Sequence, residues 1–104
     1  MKQFDLYHNT DPDSCQTYPF FVDVQTDLLE QLTSRVVIPI AAANNAKSFP
    51  KNLCPIVEIN NKNYALLSHQ ITTVSSTFLV KREDSLLLNR DEIISALDFL
   101  LTGI

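Results

Sequence analysis

Phe20-Phe21-Val22-Asp23-Val24-Gln25-Thr26-Asp27-Leu28-Leu29 is the stretch on which the reading of the fold turns. Phe20, Val22 and Val24 point one way and Phe21, Asp23 and Gln25 the other, which is the period of a strand. Asp27-Leu28-Leu29-Glu30 then makes a turn that carries two leucines outside any strand. Shortly after, Arg35-Val36-Val37-Ile38-Pro39-Ile40-Ala41 is β-branched and nearly continuous, the pattern of a strand buried on both faces. Pro39 has no amide hydrogen to give a ladder, so it points to a sheet edge, a bulge or a strand end.

Working outward, Gln3-Phe4-Asp5-Leu6-Tyr7-His8 alternates like a half-buried strand, and Asn9 to Gln16, with Asp-Pro-Asp-Ser, reads as an exposed loop. Downstream, Ala42 to Asn52 is a loop with room for a short helical turn. Pro55 to Ile59, Asn60-Asn61 and Asn63 to Leu67 read as a hairpin. Thr73 to Lys81 supplies one more β-branched segment, and Lys81-Arg82-Glu83-Asp84 reads as a solvated charge run before a helix. Gly103 is the single glycine. Turns that need positive φ must therefore use asparagine, and Asn44-Asn45 and Asn60-Asn61 are the candidates.

From Asp91 the period changes to that of a helix. Asp91, Ser95, Asp98 and Thr102 fall within a polar stripe about 60° wide. Ile93, Ile94, Ala96, Leu97, Leu100 and Leu101 cover the core-facing arc, and Phe99 lies beyond it. Asn89 with Glu92 resembles a capping box, Ser85 is an alternative start, and Gly103 can close the helix. The outline is mainly β: antiparallel strands in a small barrel or folded sheet, then one C-terminal α-helix, in a single domain spanning 1–104. So apolar a helix is either buried deeply in its own domain or part of a subunit or partner interface.

Net charge is −4, and the basic residues are scattered, with only Lys81-Arg82 adjacent. No basic stripe is there to release counterions from phosphates, which argues against direct nucleic-acid binding. The N-terminus does not read as a signal peptide, and no run approaches the roughly 20 apolar residues of a membrane span. The expected location is the cytoplasm. Cys15 and Cys54 have neither CxxC nor zinc-ligand spacing and read as free thiols, with a disulfide still open. His8 and His69 read as strand or surface residues. Asp11 and Asp13 read as turn chemistry around Pro12, and Asp23, Asp27 and Glu30 as solvated turn acids. No metal site, cofactor or catalytic constellation is expected.

Phe21 to Asp27 followed by an apolar pair, Arg35 to Ile40, Leu53-Cys54-Pro55 leading into a hairpin, and the Gly103-Ile104 end together resemble the CcdB toxin family. The resemblance implies an SH3-like antiparallel sheet, shared with MazF-type toxins, and a homodimer with its C-terminal helices near the axis. It implies a toxin of a type II toxin–antitoxin system, used in plasmid maintenance, that binds the DNA gyrase A subunit and poisons the enzyme. A CcdA-like antitoxin would neutralise it and, with it, repress their operon, so that operator DNA is met only through the antitoxin. The gyrase contacts implied are Leu28, Leu29, Asp98, Thr102, Gly103 and Ile104. Thr102 stands where the best-known member of the family carries a tryptophan that contacts gyrase, and Asp98 where that member carries a neutral asparagine. Two alternatives stay open: a MazF-like endoribonuclease, and a non-toxic relative that binds only an antitoxin.

Overall fold

The computed structural model describes residues 1–103. Seven strands and one helix follow in order: β1 Asp5–His8, β2 Phe20–Asp23, β3 Ser34–Ala42, β4 Ile56–Ile59, β5 Lys62–Leu66, β6 Thr72–Ser75, β7 Arg82–Ser85 and α1 Arg90–Thr102. They form one antiparallel sheet in the order β4-β5-β3-β2-β1-β7, with β6 also paired to β3. The sheet curls into a half-barrel, so that its two end strands meet. Asn60, in the turn after β4, donates from Nδ2 to Glu83 of β7 at 2.9 Å. The outcome is the mainly β architecture with one C-terminal helix that the patterning indicates.

Alternation in β2 sorts the core. Phe20 and Val22 face α1 and join Leu6, Ile38, Ile40 and Ile93 in the main cluster. Phe21 faces away and packs with Tyr7, Val37 and Leu79. Both faces of β3 are therefore covered, as its β-branched run requires.

Pro39 is not at an edge, a bulge or a strand end. It lies in the middle of the central strand, opposite Phe21. On the other side of β3, β6 pairs with residues 34–37 and β5 with residues 40–42. Pro39 sits in the gap between these two partners, where no ladder hydrogen bond is asked of it, and its carbonyl accepts from the Leu67 amide at 2.9 Å. A missing donor is harmless at a changeover of partners.

Other expectations are corrected too. The charge run at 81–84 is not merely solvated: Arg82 to Ser85 form β7, paired with β1. The segment from Thr73 is broken by a helical turn at Ser76–Phe78. Asn60 and Asn61 do take positive φ, 53° and 66°, making the hairpin turn, but Asn44 and Asn45 lie in a 3-10 turn without it. Phe4 takes φ 71°, which ends the N-terminal strand at Asp5 rather than Gln3. Burial of the Phe4 ring in the main cluster offsets the conformational cost.

Asn89 precedes α1, but its side chain reaches the Glu92 carboxylate at 3.3 Å instead of a backbone amide, so no capping box forms. Gly103 closes the helix at φ 77°, its amide donating to the Phe99 carbonyl at 2.9 Å. No helix is long and apolar enough to cross a membrane among the described residues.

Candidate functional site

Leu28 is 91% exposed and Leu29 48% exposed, in a 3-10 turn over Asp27–Leu29. Two leucines in water are unfavourable, and the surroundings show how the chain holds them there. Thr26 accepts from the Leu28 amide through its side chain, and Asp27 accepts from the Gln3 amide at 2.7 Å. Gln25, itself buried, is the central fastening. Its Nε2 donates to the Leu29 carbonyl at 3.0 Å, and its Oε1 accepts from the Val36 amide of β3 at 3.1 Å.

Beneath Gln25 lies an ion pair. Asp23 accepts the Gln25 amide at 3.0 Å through Oδ1 and takes two nitrogens of Arg35 on Oδ2, Nε at 2.8 Å and Nη2 at 2.6 Å. Both side chains are closed to solvent, at 0% and 1% exposure. Burial pushes the Asp23 carboxyl above its ordinary range, against the Arg35 guanidinium and the Gln25 amide, which hold it down. Arg35 Nη1 has no protein partner. Tyr7, buried close by, has its hydroxyl pushed up by burial first and then by the charges of Asp5 and Asp23. Asp23 is therefore not the solvated turn acid that sequence reading made of it. The face carrying Phe21, Asp23 and Gln25 is an inner one, and its polar members form a rigid base for the exposed turn.

Asp91, Ser95, Asp98 and Thr102 are all exposed along one side of α1, as the helical spacing requires. Thr102 donates its hydroxyl to the Asp98 carbonyl at 2.7 Å. That bond occupies the hydroxyl hydrogen within the helix. Gly103 is exposed beside it, and Ile104 lies outside the described residues.

The helix buries only Ile93 and Ala96. Leu101, assigned to the core-facing arc, is 78% exposed. It stands about 80° round the helix from Ile93, on the flank, and one turn past the last covered position, so the sheet does not reach it. Leu88 is fully exposed at the turn before the helix. Sequence periodicity had no means of finding Leu88, which precedes the periodic segment. Within one chain α1 packs on the sheet's main cluster through Ile93, with Ile94 and Leu97 against it, and its start lies near the turn at 68–70. The candidate residues fall on two elements, the turn at Asp27–Leu29 and the end of α1.

His8 and His69 lie in different parts of the fold. His8 Nε2 pairs with Glu83, and His69 Nδ1 lies 3.6 Å from Cys54 Sγ. Cys54 and Cys15 are both free thiols. Among the described residues no three His, Cys, Asp or Glu side chains are grouped to hold a metal ion. What the geometry offers is rigidly displayed contact surface. A family model described as CcdB protein matches residues 3–103 of the chain.

Proposed function

The chain belongs to the CcdB family, whose members are gyrase-targeting toxins of toxin–antitoxin systems, and from that premise we propose that it binds the DNA gyrase A subunit and inhibits the enzyme. It acts as a protein inhibitor, working by contact and not by covalent chemistry. The contact surface is the exposed Leu28–Leu29 turn together with Asp98, Thr102, Gly103 and Ile104. The observation that carries this reading is the turn itself: a leucine 91% exposed on a base of buried, mutually hydrogen-bonded polar groups. A preorganised apolar contact loses little entropy on binding, which is how a small patch gains affinity. A homodimer brings the two patches of each chain into one surface around its axis. A CcdA-like antitoxin neutralises the toxin and co-represses the operon with it.

A second reading has its own observation. Thr102 replaces an aromatic anchor, and its hydroxyl is already bonded within the helix. Loss of such an anchor costs about 2 kcal/mol or more, roughly thirtyfold in affinity. This favours a relative that keeps antitoxin binding without poisoning gyrase. A DNA-cleavage assay separates the two, with purified protein, gyrase, ATP and supercoiled plasmid stopped by detergent and protease. Linear DNA that depends on both proteins supports poisoning. Uninhibited supercoiling at saturating protein, with tight antitoxin binding, supports the second reading.

A further inference from the structure

Lys47 and Lys51 converge on one cavity, of about 500 Å³, between the 3-10 turn at Ala43–Ala46 and the segment leading into β4. Its walls are mostly apolar, made by Ala46, Phe49, Cys54 and Ile56, with Asn44 and Asn63 as uncharged polar members. Phe49 is 38% exposed, an aromatic ring left partly in water, and it lies against His69 with ring centroids 4.5 Å apart. The Cys54 thiol lines the cavity with His69 Nδ1 3.6 Å from it, and burial pushes the thiol up, so the sulfur stays protonated. No Asp or Glu lines the cavity among the described residues. Among the described residues neither Lys47 nor Lys51 has a carboxylate within salt-bridge distance, as is true of the other lysines, and Lys51 also borders a neighbouring cavity that Asp91 and Glu92 line. On a chain of net charge −4, the two charged residues that line this cavity are both basic.

We infer that this cavity is a binding site for a small free aromatic carboxylate, its ring against Phe49 and Ile56 and its anionic group between Lys47 and Lys51. The volume suits a small molecule, and a mostly apolar lining with a few charged groups at the rim is the usual composition of such sites. Charge complementarity selects the anion. The site is separate from the gyrase reading and stands without it.

The test is a titration of the full chain with naphthalene-2-carboxylate, and separately with the uncharged naphthalene-2-carboxamide, followed by amide NMR. The carboxylate is expected to give saturable shifts at Ala46, Phe49 and Ile56 and to bind about tenfold more tightly than the amide. The double variant Lys47→Gln, Lys51→Gln removes that advantage and leaves the amide's affinity unchanged. Both lysines are exposed, so the variant's spectrum elsewhere should match the parent's. Shifts centred elsewhere, equal affinity for carboxylate and amide, or a carboxylate affinity untouched by the double variant would overturn the inference.

Discussion

Asp23 and Arg35 lie twelve positions apart in sequence and share one buried contact, and the Leu28–Leu29 turn depends on it through Gln25. Replacing Asp23 by Asn leaves a guanidinium buried without its counter-charge, which costs about 3–5 kcal/mol. Replacing both, Asp23→Leu with Arg35→Met, removes both desolvation penalties and should cost much less. Urea unfolding of the two variants checks this: the single substitution is expected to be the more damaging. Alternation alone placed Asp23 and Gln25 on the same side of a strand. It could not tell that side from a solvated one, because what covers it, Leu79 and the segment around Phe78, comes from far along the chain. The asparagine pair at 60–61 was legible for a local reason: a two-residue hairpin turn needs positive φ at both positions, and asparagine tolerates it.

Among the elements, β7 was the least legible. Arg82-Glu83-Asp84-Ser85 has the composition of a loop, and it becomes a strand because β1 supplies a ladder. Glu83 then ties the sheet's ends together, accepting from Asn60 and pairing with His8. The hydrogen bonds from Asn60 and His8, with the charges of His8 and Lys81, hold the Glu83 carboxyl below its ordinary value of 4.5. A carboxyl depressed by folding adds stability that is complete above the unfolded value and is lost as pH falls through the folded one. The clasp should therefore weaken below pH 4.5. Urea midpoints measured from about pH 6 to pH 3 should fall more steeply for the parent than for Glu83→Gln, which has no charge to lose. Parallel curves would show that Glu83 takes no part in acid unfolding. The helix, by contrast, was legible in type and in its polar stripe, because period and stripe are local properties. Its cover was not, and Leu101 came out of the core for that reason.

At the scale of the whole molecule, the helix and its approach leave Leu101 and Leu88 in water, 78% and 100% exposed. A chain this small gains from covering such surface with a second copy. Sedimentation equilibrium should give twice the chain's mass at micromolar concentration, and a monomer there would contradict a dimeric toxin. The most direct test of the gyrase reading is calorimetric titration of the gyrase A dimerisation domain with the parent and with the variant Leu28→Ser, Leu29→Ser. Both leucines are exposed and belong to no core cluster, so the variant should melt with the parent. The parent is expected to bind, and the variant to bind at least about thirtyfold more weakly. Equal affinity would show that the leucine turn is not the contact, and no heat from the parent at all would contradict gyrase as the target.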